Sequence, residues 1–234
     1  MSAFDKKRNF SWRAPSDQLT CVAEVSVSDD RSGMIVVVEG ISASGKTSWC
    51  AKHAAGKIVP ENGRLRGVPD RLSDPRGAAD FWAERNVARW QGALAIETAS
   101  SVAVCDTDPL KLHYTWSLWR IGAATEREWL LELTATRATF AKGLIGFADR
   151  YLIADVEPRV AEERALGEPT RRRRNFELHS RLQPALLDWY SALDAAAPGR
   201  VQFGLPDGLP DLTSLGERYD LGAFDWMIQS LPRG

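Results

Sequence analysis

Long apolar runs are missing from this 234-residue chain, and none approaches the roughly 18 residues that a membrane-spanning helix needs. Lys6, Lys7 and Arg8 are followed by no apolar stretch, so neither a signal peptide nor a membrane span is expected, and the cytoplasm is the expected compartment. Cysteine is scarce. Cys21, Cys50 and Cys105 are odd in number and lack metal-ligand spacing, which leaves buried thiols as the reading and assigns no disulfide. A charge excess is also absent: the formal net charge is −1, so nothing global favours nucleic acid or an anionic membrane as partner. What is present is ordinary globular material, 44% hydrophobic and 26% charged, enough for a sizeable core in one domain.

One stretch organises the rest. Met34 to Ser48 reads M-I-V-V-V-E-G-I-S-A-S-G-K-T-S, a β-branched run, a glycine turn and the opening of a helix. The pattern G-x-x-x-x-G-K-[ST] is filled by Gly40, Gly45, Lys46 and Thr47. Glycines let the backbone wrap so that the N–H groups of the turn, Ser42, Ala43, Ser44, Gly45 and Lys46 through Ser48, face a phosphate chain, and the helix dipole adds to the same pocket. Lys46 is expected on the β- and γ-phosphates, and the Thr47 hydroxyl on Mg²⁺.

Residues 1–32 read as a polar arm that includes a short edge strand near Cys21 to Ser28, and 33–204 as the phosphate-binding domain. Lys57-Ile58-Val59 is a short strand closed by Pro60, which puts Glu61 at a strand end. That carboxylate is either a solvated turn residue or lies beside the transferred phosphate. Arg64, Arg66 and Arg71 follow in a loop, available to acidic substrate groups. A helix is expected over Ala78 to Ser100 with its tryptophans in the core, then a strand ending at Cys105. Just past it, Asp106 or Asp108 is placed to hold Mg²⁺ through water or to bind a substrate hydroxyl, while a helix-capping role suits Asp108 better than Asp106.

His113, Tyr114 and Trp116 sit in a dense aromatic and basic run, which fits either a sandwich for a flat ring or a helix packing into the core. A strand over Tyr151 to Val156 precedes a helix started by Pro158. Arg159, Arg164 and Arg171 to Arg174 then form the most charged block, read as a lid over 159–176 rather than a nucleic-acid patch or a solvated helix. Phe176 to Leu193 is one amphipathic helix in this reading, Arg200 to Gly204 a last strand, and 205–234 a tail docked on the domain.

These parts resemble the small P-loop kinases, in particular the thymidylate kinase and deoxynucleoside kinase group. The resemblance rests on the phosphate-loop motif, V-P-E at Val59 to Glu61, C-D-T-D at Cys105 to Asp108, Y-L-I-A-D-V-E-P-R-V-A-E-E-R from Tyr151, the arginine cluster and N-F-E-L-H-S-R-L from Asn175. It implies an α/β, three-layer fold with a mainly parallel five-stranded core sheet and helices on both faces, ATP or GTP as donor, and Mg²⁺. It further implies that Glu61 acts on the acceptor hydroxyl, and that Arg164 and Arg171 to Arg174 clamp the donor. One departure bears on the substrate. The D-R-[YF] or E-R-S triplet of such kinases is replaced by Asp106-Thr107-Asp108, so the acceptor need not be a nucleoside.

The expected activity is phosphoryl transfer to a small-molecule acceptor, a nucleoside, nucleotide or nucleoside-like compound. Lys46, Glu61, Asp106, Arg171 and Arg174 are the expected catalytic set; Glu61, Arg64, Asp108, His113, Tyr114 and Trp116 the acceptor set; Thr47 and Asp106 the metal pair. An antibiotic-modifying kinase on the same core and a nucleotide-hydrolysing switch for a protein partner are the alternatives. A homodimer is left open.

Overall fold

The computed structural model describes residues 33–63, 65–167, 176–211 and 216–232. The N-terminal arm, Arg64 and the lid arginines Arg171 to Arg174 therefore lie outside the described residues.

Seven consecutive buried residues make β1 (Met34–Gly40), the centre of the sheet. Together with β2 (Ile58–Val59), β3 (Val102–Asp106), β4 (Arg150–Ala154) and β5 (Val201–Phe203) it forms a five-stranded sheet in the order β2-β3-β1-β4-β5. All four pairings are parallel. A parallel sheet needs both faces covered, which is why β1 is continuously apolar up to Glu39 rather than alternating.

Alternate strand residues feed two cores. Ile35, Val37, Ala103, Cys105, Tyr151 and Ile153 face a large one, closed by α2 (Pro75–Ser100), α3 (Leu112–Arg120), α4 (Glu126–Ala141), α7 (Gln183–Ala196) and α8 (Leu221–Ser230). Met34, Val36, Val38, Val104 and Leu152 face a smaller one on the other side, covered by Trp49 and Cys50 of α1 (Lys46–His53) with Leu205 and Leu209. The chain leaves β1 toward the β2 edge and leaves β3 across β1 to β4. Loops thus part at the carboxyl ends of the central strands and open the crevice typical of such sheets.

Three differences from the sequence reading have local causes. The helix expected over Phe176 to Leu193 breaks into α6 (Phe176–Ser180) and α7, because Pro184 stands in the first turn of α7 and cannot continue a helix from the preceding turn. The α2 helix starts earlier, at Pro75, where the Asp74 carboxylate accepts the Gly77 N–H. The tail contains α8, capped by Asp220 on the Ala223 N–H, and its Phe224 and Met227 are buried in the large core. Among the described residues no helix is long and apolar enough to cross a membrane.

Candidate active site

The turn after β1 has the backbone the motif demands. Gly40 (φ 155°) and Gly45 (φ 97°) both occupy positive-φ conformations, and a Cβ on Gly40 would meet Ser44 Oγ at 2.8 Å and Ala154 Cβ at 2.9 Å. Lys46 Nζ folds back to donate to the carbonyls of Gly40 (2.6 Å) and Ile41 (2.9 Å). Burial pulls the Lys46 pKa below that of an ordinary lysine, against the attraction of Glu39 and Asp106. Arg164, on α5 (Pro158–Leu166), donates to the Ser44 carbonyl at 3.1 Å, so this helix touches the turn directly.

Thr47 Oγ1 donates to Asp106 Oδ2 at 2.8 Å, joining the start of α1 to the end of β3. Asp106 Oδ1 is buried and has no hydrogen-bond partner among the described residues. One hydroxyl and one carboxylate with a spare oxygen fit Mg²⁺, a hard cation that keeps several waters and takes its remaining ligands from phosphate. No group of three or more His, Cys, Asp or Glu that could cage a metal occurs among the described residues.

Beside this pair stands Glu39, the last side chain of β1 before the turn. Its Oε1 accepts the Gly40 N–H at 2.8 Å and its Oε2 the Asp108 N–H at 3.0 Å, with His113 Nε2 at 3.4 Å. Burial by itself would raise the Glu39 pKa, but Lys111, His113 and Lys46 outweigh it and hold the carboxyl down at about 2. Burial pushes His113 down to about 4, so at neutral pH its ring is uncharged and its contact with Glu39 is a hydrogen bond rather than an ion pair.

A cavity of about 710 Å³ takes in the whole turn from Glu39 to Ser48 and continues past Glu61 into a polar chamber. Glu61 lies at its rim, exposed and 3.2 Å from Lys111 Nζ. Deeper in, Arg71 bonds Glu132 (3.2 Å) and the Thr115 hydroxyl (3.3 Å). Burial raises the Glu132 pKa against the pull of Arg71. Tyr114 OH stands 3.3 Å from His179 Nε2, and Leu182 and Leu186 finish the wall.

Of the acceptor residues expected from sequence, Glu61, His113 and Tyr114 line this cavity, and two others do not. Trp116 is 1% exposed and packs on Trp189 with ring centroids 5.8 Å apart; it belongs to the core, because α3 turns that face toward α7. Asp108 is a second correction. It is buried behind the wall, where it accepts the Leu110 N–H (2.9 Å) and the Tyr190 hydroxyl (3.1 Å). Burial pushes its pKa up to about 6, partly countered by the Leu110 N–H.

Conversely, Trp82 of α2 lines the cavity rather than the core, with an indole N–H that is buried and unpartnered among the described residues. Asn86, Arg89, Lys111, Glu132 and His179 also line it and were not singled out from sequence. For Glu39 a signal existed: a carboxylate ending a run of valines is costly unless it has a task.

No protein-family model matches the sequence, and no curated protein matches it. Solved structures do resemble the fold. A thymidylate kinase from Candida albicans superposes with a TM-score of 0.52 at 14% identity, covering 84% of this chain and 90% of that one. A deoxyadenosine kinase from M. mycoides with bound dATP gives 0.47 at 11% identity over 73% of this chain and 90% of that chain. The same enzyme with products dCMP and dCDP gives 0.48 at 11% over 84% and 96%. The likeness that bears on this chain is the first, and it is one of fold: a thymidylate-kinase-like, P-loop arrangement of five parallel strands between helices.

Proposed function

We propose that the protein is a phosphotransferase that moves the γ-phosphate of ATP or GTP to a small acceptor, a nucleoside, a nucleotide or a nucleoside-like compound. The observation that carries this reading is the continuity of one cavity from the Gly40–Ser48 turn to the chamber of Arg71, Trp82, Asn86, Tyr114 and Glu132. A hydrolysing switch needs room for a water; a transferase needs room for a second molecule beside the γ-phosphate.

In this reading the turn's N–H groups and the α1 N-terminus hold the β-phosphate, and Lys46 swings from the Gly40 and Ile41 carbonyls onto the β- and γ-oxygens. Thr47 and Asp106 would hold Mg²⁺, which when bound neutralises charge on the phosphates. Glu61 orients the acceptor hydroxyl and takes its proton, with Lys111 keeping the carboxylate in place. Arg164 stands at the donor end, where a guanidinium offsets charge that develops during transfer.

The test is mass spectrometry of products after incubating the protein with Mg-ATP or Mg-GTP and a pooled panel of nucleosides, nucleoside monophosphates and nucleoside antibiotics. One added phosphate on one acceptor, lost in Lys46→Ala, is the expected result. Glu61→Gln should slow transfer by roughly 10²- to 10⁴-fold. Lys46-dependent hydrolysis with no acceptor modified would favour the switch instead.

A further inference from the structure

Between β3 and α3 the chain makes a strained bend. Thr107 has φ 77°, a left-handed conformation that a β-branched residue rarely adopts and that persists only when its surroundings impose it. Those surroundings can be named. The Thr107 N–H donates to the Val38 carbonyl at 3.0 Å and the Asp108 N–H to Glu39 at 3.0 Å. From the other side the Arg89 guanidinium donates to the carbonyls of Asp106 (3.0 Å), Thr107 (2.8 Å) and Asp108 (3.2 Å), while its Nε reaches Pro60 at 3.3 Å. A buried arginine and a buried glutamate thus hold the bend from both flanks.

With those backbone groups satisfied, the side chain is the exception. Thr107 is 2% exposed and lines the cavity, yet its Oγ1 has no hydrogen-bond partner among the described residues. A buried hydroxyl without a partner is a cost the fold does not ordinarily carry. Two more partnerless oxygens, Ser44 Oγ and Asp106 Oδ1, flank the same turn. Thr107 is also next in sequence to the aspartate that holds Thr47, and since that aspartate pairs with Val38, Thr107 is level with Glu39, at the start of the turn. Thr107 thus shares one cavity wall with Gly40, Ile41 and Lys46, whose Nζ rests on the first two residues' carbonyls.

We propose that Thr107 Oγ1 donates a hydrogen bond to the γ-phosphate of the bound nucleoside triphosphate, an assignment that rests on the phosphoryl-transfer reading above. The strained bend sets Thr107 in the cavity wall, and Arg89 and Glu39 are the positioning residues that keep it there. A triphosphate gains the contact; a diphosphate does not.

Isothermal titration of the whole protein with Mg²⁺ and the pairs AMP-PNP/ADP and GMP-PNP/GDP separates the outcomes. Thr107→Val, which keeps shape and branching without the hydroxyl, should weaken the triphosphate analogue roughly ten- to hundredfold, the range for a hydrogen bond to a charged group. Diphosphate affinity should stay within about twofold, and Thr107→Ser should bind both as wild type does. Equal loss of both nucleotides, no loss of either, or a Thr107→Ser that behaves like Thr107→Val would overturn the contact and leave the kinase reading standing. A wild-type protein that binds neither pair would overturn both.

Discussion

At the scale of single residues, the fold pushes the protonation of two neighbouring carboxyls, one in the site and one behind it, in opposite directions. Glu39 is held at about 2 by Lys111, His113 and Lys46 despite its burial, whereas burial, with the charge of Glu39 nearby, raises Asp108 to about 6. The consequences for stability have opposite signs. A carboxyl raised in the folded state favours its protonated form there, so its stabilisation is full below the unfolded pKa near 4 and is lost as pH climbs through about 6. Glu39 contributes stability above its ordinary pKa and loses it only toward pH 2. Asp108→Asn has no proton to lose. Urea unfolding at a series of pH values should show the variant gaining on wild type between about pH 4 and 6, by on the order of 3 kcal/mol, and then holding a constant lead. Parallel stability curves across that window would refute the assignment.

Among elements, the start of β1, at the far end of the strand from the glycine turn, is held by groups that sequence distance does not connect. Arg218, in the segment before α8, reaches Glu97 of α2 and Asp149 in the approach to β4, and Asp149 in turn accepts the Ile35 N–H of β1 at 2.7 Å. Arg218 is fully buried and also lies 6.0 Å from the Trp90 ring. Removing it would strand two carboxylates inside the protein, so Arg218→Ala should lose about 3–5 kcal/mol in a chemical-denaturation measurement. A loss below about 1 kcal/mol, the level of a surface pair, would mean that the tail segment contributes little to the core.

For the molecule as a whole, the arrangement predicts a ligand-coupled stability. Nucleotide that binds only the folded state adds RT ln(1 + [L]/Kd), about 2.7 kcal/mol at a hundredfold excess over Kd. Thermal unfolding should therefore shift upward by roughly 5–10 °C with saturating Mg-ATP or Mg-GTP. The shift should vanish in Lys46→Ala, which removes the cation that the proposed function sets on the phosphates. An equal shift in that variant would place nucleotide binding away from the turn.

The sequence by itself determined the strand, the glycine turn, the helix behind it and the α/β class, because these depend on local steric rules that a few consecutive residues satisfy. It also placed Glu61 and Asp106 at strand ends. The choice between the two tryptophans went to the tertiary structure: the sequence reading sets Trp82 in the core and Trp116 in the acceptor set, whereas the packing of α3 on α7 buries Trp116 and Trp82 is left at the cavity. Whether Asp106 or Asp108 meets the turn was likewise decided by partners far along the chain, since Thr47 bonds the first and Tyr190 the second. Burial and long-range pairing are properties of the assembled fold, and they turn identical residue types at neighbouring positions into a partner of the Thr47 hydroxyl and a structural anchor.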